Sequence, residues 1–330
     1  MLPTIALLSA GGTITAIGSD RLDLASYLEN SASLQPGQLL QSLPEAASVA
    51  VIREVQYPKV VSHALTHDDW IRLLKTLRDL ISDREVAGVV ITHGTNTLEE
   101  TAYFLSLTLP QEKPVVIVGA MRPASALSAD GPLNLMNALR VASSPASAGR
   151  GVLVVMNDTI FAPRDVTKTL TYRVQSFASH DAGPVGYADA DGRVVYQHRS
   201  EHQPVDGPVF ALESGHIPRV DVVVSYVGAD ATMIDAAVAA GAAGIVSAGT
   251  GAGRPAPAEL DALTRASRQG VIVCQSSRVA GGRVVSTRTI EALGLVAADS
   301  LGPWKARVLL ALALTKTKDP AEIQAYFDRY

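Results

Sequence analysis

Residues 5–16 read IALLSAGGTITA. Four apolar residues, Ile5 to Leu8, narrow through Ser9 and Ala10 into Gly11-Gly12-Thr13. A buried strand that ends in Gly-Gly turns sharply and leaves little side-chain bulk between the main chain and a ligand. In an open parallel sheet, ligands collect at the carboxyl ends of the strands. Thr13 therefore stands where a nucleophilic hydroxyl is useful. The same residues equally suit a strand that Gly-Gly-Thr merely closes, and the stretch alone does not separate the two.

The pattern recurs downstream. Residues 87–91 form an apolar run into Thr92-His93-Gly94-Thr95-Asn96-Thr97, and a helix is expected from Leu98 to about Leu107 with Glu99 and Glu100 in its first turn. A strand, a Gly-containing turn and a helix N-terminus together present free N–H groups to an anion. Residues 114–118 lead into Gly119-Ala120-Met121-Arg122-Pro123 and a helix around 131–142, and 151–156 is a further strand. Between the first two units, 48–55 reads as a strand. Residues 67–82 read as a helix, with Trp70, Leu73, Leu74, Leu77 and Leu80 at spacings of three and four and Asp68 and Asp69 at its start. Such alternation predicts right-handed βαβ units: an α/β fold with a doubly wound, mainly parallel sheet.

Residues 160–200 lose the clean alternation and carry Arg164-Asp165-Val166-Thr167-Lys168-Thr169, and later short strand-like pieces such as VVY (194–196). Pro204, Gly207 and Pro208 mark 196–217 as a linker, and its histidines read as surface residues. A smaller α/β domain is expected over 218–330, with strands at 220–226, 243–248 and 271–274, helices at 231–240, 257–268 and 305–314, and an amphipathic helix at 319–328. The expected division is thus 1–195, a linker at 196–217, and 218–330.

Composition narrows the function classes. The 330 residues are 47% hydrophobic and 18% charged, which suits a sizeable core rather than disorder. A net charge of −4 gives no footprint for nucleic acid or an anionic membrane. The single cysteine, Cys274, excludes an internal disulfide and reads as a buried core thiol. There is no HExxH and no Cys/His cluster, so neither metal nor cofactor is expected. The first ten residues are apolar without a preceding basic region and are read as a strand, which points to the cytoplasm. No uninterrupted apolar run is long enough to span a bilayer.

Taken together, AGGTIT (10–15), HGTNTLEETAYFL (93–105), KPVVIVGAMRP (113–123), SADGPLNL (128–135), RGVLVVMNDTI (150–160), RDVTKT (164–169), GIVSAGTG (244–251) and QSSRV (275–279) resemble the bacterial-type L-asparaginases and glutaminase-asparaginases along essentially the whole chain. The resemblance implies hydrolysis of the side-chain amide of L-asparagine to the acid and ammonia, and leaves glutaminase activity open. It also implies a homotetramer, a dimer of intimate dimers, with each site between the N-terminal domain of one subunit and the C-terminal domain of its partner. Thr13 matches the family's nucleophile and Tyr27 the tyrosine of its mobile loop, here Gly18 to Tyr27. Thr95 and Lys168 match the second threonine and the lysine, and Ser62 a substrate-carboxylate ligand. Gly94, Thr95 and Ala120 are candidates for backbone contacts to substrate. The chemistry is coherent: an amide carbonyl needs a nucleophile, a base and an oxyanion stabiliser. A desolvated lysine beside a hydroxyl loses its charge readily enough to act as base, unless Lys168 is only a structural cation.

The chain also departs from the family pattern. Asn96 stands where the family has an aspartate that binds the substrate's α-ammonium, and His63 stands in place of a glutamine. Gly251-Ala252-Gly253-Arg254 replaces Gly-Asn-Gly-Asn, Ser9-Ala10 replaces the more usual Ala-Thr, and 280–293 is basic, without the acidic residue expected there. Ser9-Ala10 reads as a packing change; the others share a direction, fewer anions and more potential cations near the expected ammonium site. Two alternatives follow. One is a divergent hydrolase of an amide, ester or lactone in a carboxylate substrate that lacks the α-ammonium. The other is a non-catalytic amino-acid-binding homologue.

Overall fold

The computed structural model describes residues 1–29, 32–35, 37–204, 207–212 and 215–330. The chain divides into two compact units, Met1–Val209 and Phe210–Tyr330.

In chain order, the first unit contains strands β1 (Thr4–Ser9), β2 (Val51–Val55), β3 (Gly88–Thr92), β4 (Val115–Val118), β5 (Val152–Met156), β6 (Thr159–Phe161), β7 (Thr167–Lys168), β8 (Phe177–Ala178), β9 (Gly186–Ala188) and β10 (Val194–Tyr196). Its helices are α1 (Gln38–Gln41), α2 (His67–Ser82), α3 (Leu98–Thr108) and α4 (Gly131–Ser143). Eight strands form one sheet in the order β10-β9-β6-β5-β4-β3-β1-β2. The pairs from β2 through β1, β3 and β4 to β5 are parallel, and β5–β6, β6–β9 and β9–β10 are antiparallel. Because side chains alternate along a strand, Ile5, Leu7, Val90, Val116 and Leu153 face one layer, where they pack with Leu135 and Leu139 of α4. Helices α2 and α3 pack against β3 and β5.

The start of α2 is fixed by a capping box. Thr66 Oγ1 accepts from the Asp69 N–H at 3.3 Å, and the Asp69 carboxylate accepts from the Thr66 N–H at 2.9 Å. Its apolar stripe buries Leu73, Leu74 and Leu77. Trp70 stacks on Phe104 of α3 with ring centroids 4.8 Å apart, and its indole N–H donates to Thr101 Oγ1 at 3.0 Å. Helix α3 is buried nearly all round, so it lies in the core rather than on it.

Val194–Tyr196 is the sheet's edge strand β10, so this strand spans the expected boundary at 195. Beyond it, Arg150 Nη1 donates to the His198 carbonyl at 3.1 Å, and the Arg150 guanidinium lies 3.6 Å over the Tyr196 ring. These contacts tie the start of the expected linker to the first unit. Within 196–217, residues 205–206 and 213–214 lie outside the described residues.

The second unit is a four-stranded parallel sheet, β11 (Val220–Val224), β12 (Gly244–Gly249), β13 (Ile272–Ser277) and β14 (Val296–Ala297), in that order. Helices α5 (Thr232–Ala239), α6 (Pro257–Arg268) and α7 (Arg288–Ala292) supply Ile234, Leu263 and Ile290 to a core with Val223, Ile245 and Val273. Helices α8 (Pro303–Ala313) and α9 (Pro320–Arg329) complete the unit, and α8 packs on β11, β12 and β13. Cys274 is fully buried in β13. Among the described residues, no helix is long and apolar enough to cross a membrane.

Candidate active site

Three segments meet at the carboxyl ends of β1 and β3, and their glycines let them meet. Gly12 has φ +98°, and a Cβ there would fall 2.7 Å from the Gly94 backbone nitrogen. At Gly94, a Cβ would fall 2.4 Å from Ser62 Oγ. The turn after β1 is therefore packed backbone to backbone on the turn after β3, and the Ser62 side chain packs on the Gly94 backbone, with no room for a side chain at Gly12 and little at Gly94. Thr97, at the start of α3, locks the third segment: its Oγ1 donates to the Ser62 carbonyl at 2.8 Å.

A cavity of about 490 Å³ opens over this junction, within the range of small-molecule sites. Its walls carry Thr13, Tyr27, Ser62, His63, Gly94, Thr95, Asn96 and Lys168. Thr13 and Thr95 are buried. Thr13 Oγ1 lies 3.1 Å from the Tyr27 hydroxyl. Lys168 Nζ donates to Thr95 Oγ1 at 2.8 Å and reaches Asn96 Oδ1 at 3.5 Å, a long contact. Two hydroxyl pairs, one threonine–tyrosine and one threonine–lysine, thus border the same space.

Of the residues expected from the sequence, Ala120 is not brought to the cavity wall. It is fully buried in the core beside α4, and Met121 lines the cavity instead. The amides that follow it are already engaged, because Asp130 accepts from Met121 N–H at 2.9 Å and from Arg122 N–H at 2.9 Å. Asn134 of α4 donates to the Gly119 carbonyl at 3.1 Å and accepts from Asn157 N–H at 3.0 Å. The SADGPLNL motif therefore builds the turn after β4. The segment from Gly18 to Tyr27 is organised by its own aspartates: Asp23 accepts from Ser19 N–H at 3.0 Å and from Ser26 N–H at 2.9 Å.

Burial pushes the Lys168 ammonium below the usual lysine range, and the Glu99 carboxylate opposes this from the first turn of α3. Among the described residues, the cavity wall carries no aspartate or glutamate, so Lys168 faces it without a carboxylate beside it. His93 is not on the wall of this cavity. Its Nδ1–H donates to the Gly94 carbonyl at 2.8 Å, and burial lowers its pKa to about 4, so it is neutral at physiological pH. No group of three or more His, Cys, Asp or Glu among the described residues is arranged to hold a metal.

Sequence reasoning did not identify the roles of Glu99, Met121 or Tyr172, and it expected the Thr97 hydroxyl beside that of Thr95 at the anion site, whereas Thr97 Oγ1 is bonded to the Ser62 carbonyl. Glu99 carried a signal, a carboxylate within the HGTNTLEET motif, but it reads equally well as an acid favoured by the helix dipole.

Comparison with known proteins agrees with this architecture. Residues 4–202 match the family described as asparaginase, N-terminal, and residues 219–327 match the glutaminase/asparaginase C-terminal domain. A Haemophilus influenzae protein named probable L-asparaginase periplasmic is 43% identical over 100% of this chain and 93% of its own length. L-asparaginase 2 of Escherichia coli is 42% identical over 100% of this chain and 94% of its own. The solved structure of a probable cytoplasmic L-asparaginase from Campylobacter jejuni superposes with a TM-score of 0.94 at 39% identity, covering 99% of this chain and 100% of that one. With both halves of the chain matched in order and relatives this similar end to end, the protein belongs to the asparaginase family.

Proposed function

We propose that this chain hydrolyses the side-chain amide of L-asparagine to aspartate and ammonia, with Thr13 as nucleophile. The observation that carries the reading is one cavity bordered by Thr13–Tyr27 and Thr95–Lys168. Thr13 Oγ1 attacks the amide carbonyl carbon. The C–N bond breaks, and the nitrogen leaves as ammonia with the proton that the Thr13 hydroxyl gives up. Water then attacks the Thr13 ester, its oxygen joins the acid, and a proton returns to Thr13. Tyr27 orients the Thr13 hydroxyl, and Lys168, whose ammonium is destabilised by burial, draws the proton of Thr95 or of water. Ser62 and the amides of the Gly94–Asn96 turn hold the substrate carboxylate, and His63 borders the same side of the cavity.

Exposed Leu28, Val61 and Tyr172 at the cavity rim support a homotetramer in which a neighbouring subunit covers the site, because such side chains are normally buried by a partner. A cytoplasmic location belongs to the same reading and follows the naming of the Campylobacter jejuni relative. Ammonia release from L-asparagine tests the proposal. Turnover that disappears in Thr13→Ala supports it, and unchanged turnover in that variant refutes it.

A second reading is favoured by a wall that holds Lys168 and neutral Asn96 but no carboxylate among its described residues. On that reading the substrate is a carboxylate-bearing amide without an α-ammonium. Succinamate, which lacks the ammonium, separates the two. Faster turnover of succinamate than of L-asparagine selects the second reading, and the reverse selects the first.

A further inference from the structure

Among the described residues the cavity wall carries no carboxylate, but one stands behind it. Strand β7 is only two residues long, and its side chains point to opposite sides. Lys168 projects to Thr95 and the cavity. Thr167 projects the other way, and its Oγ1 donates to Glu99 Oε2 at 2.8 Å. The second oxygen of the same carboxylate, Oε1, accepts from the Lys168 backbone N–H at 3.5 Å. One carboxylate thus spans the two residues of the strand that presents the lysine.

Glu99 is itself buried. A buried carboxylate is costly unless hydrogen bonds and favourable fields compensate. The compensation includes the Thr167 hydroxyl, the strand N–H and the positive end of α3, whose first turn Glu99 occupies. A glutamine of the same shape would accept the Thr167 hydrogen bond without a charge to bury. The charge does more than hold the strand, because it also acts on the Lys168 ammonium carried by that strand and favours its charged form.

We infer that Glu99 is a positioning residue that anchors the β7 backbone behind the cavity and supplies Lys168 with the negative charge that Asn96 does not. This rests on the reading of Lys168 as part of the amide-hydrolysing site. The arrangement separates two tasks. The lysine keeps an anionic partner through the strand, while the described residues of the wall that substrate touches include no carboxylate and leave it open to an anionic substrate. The other titratable side chains on the cavity are Tyr27, His63 and Tyr172. Arg164 and Asp165, upstream on the same segment, pair with each other at 3.6 Å.

The test follows Lys168 directly. With lysines labelled at Cε, the Lys168 signal is assigned by its disappearance in Lys168→Met and titrated by NMR. In Glu99→Gln its midpoint moves to lower pH. In Thr167→Val, which removes the hydrogen bond and leaves the charge, the midpoint stays in place. If Lys168 also governs turnover, the ratio of kcat/KM at about pH 6 to that at about pH 8 rises roughly threefold or more in Glu99→Gln. A folded Glu99→Gln protein with an unmoved Lys168 midpoint overturns the proposal. Should that variant fail to fold, Glu99→Asp keeps the charge but draws it back by one methylene; a midpoint that shifts in the same direction by less supports the proposal, and an unmoved one overturns it. The titration is read without substrate. Absent hydrolysis would therefore count against the proposed function and leave the Glu99 result standing.

Discussion

Asn96→Asp puts a carboxylate onto the cavity wall at the position where the chain departs from its family. Asn96 Oδ1 is 3.5 Å from Lys168 Nζ, and a full charge there attracts the ammonium by about 5 kcal/mol at an effective dielectric near 20. Asn96 is exposed, so water screens most of this and about 1–2 kcal/mol is the realistic gain. The same carboxylate would attract the α-ammonium of L-asparagine by a comparable amount, and about 1.4 kcal/mol is tenfold in binding. Two effects follow. The ratio of kcat/KM for L-asparagine to that for succinamate rises about tenfold. The added anion also raises the proton affinity of Lys168, whose ammonium burial had destabilised, so a larger fraction is charged at a given pH and the rising limb of activity moves to higher pH. Ammonia release is measured for both substrates across pH in the variant and the parent. A substrate ratio unchanged within about threefold, together with an unmoved limb, would refute the electrostatic reasoning at Asn96.

Gly12→Ala should damage the site more than its size suggests. The backbone there has φ +98°, and the new Cβ would fall 2.7 Å from the Gly94 nitrogen, so the turns must separate. With ψ 176° this is an extended positive-φ conformation essentially confined to glycine, so a strain of about 1–3 kcal/mol is expected from the conformation alone. A displacement of Thr13 approaching 1 Å lowers kcat by about 100-fold. A lowered Tm with kcat unchanged would contradict the backbone-packing argument. At Cys274, burial drives the thiol far above its usual range, so a thiol-specific reagent should leave the folded protein unlabelled and modify it only after denaturation.

Much of this architecture was legible because buried parallel strands are written as apolar runs closed by glycine. β3 and β4 lie within such runs, β5 ends instead at Asn157-Asp158, and every residue in the three strands is buried. Helix α2 was legible from its stripe, since it buries one face. Helix α3 has no such stripe; its placement came from the turn before it. From β6 to β10 only VVY (194–196) reads as a strand, because strands of two or three residues have no period to detect, and their pairing is set by neighbours far along the chain. For the same reason, no local feature marked Val194–Tyr196 as the edge of the first sheet.

The site was legible as a list of residues, but its connections were not. Thr13, Tyr27, Ser62, Thr95 and Lys168 all reach one cavity. That Thr97 fastens the Ser62 turn, that Asp130 occupies the amides after Ala120, and that Glu99 stands behind Lys168 are facts of packing between segments 8 to 69 residues apart. Spacing along the chain does not encode them.

The central claim is that Thr13 becomes acylated. Acid quenching during turnover of L-asparagine, followed by mass mapping of the digested chain, tests it most directly. An aspartyl ester on the peptide containing Thr13, absent from Thr13→Ala, is the predicted result. An ester on Thr95 instead, or ammonia release undiminished in Thr13→Ala, would contradict it.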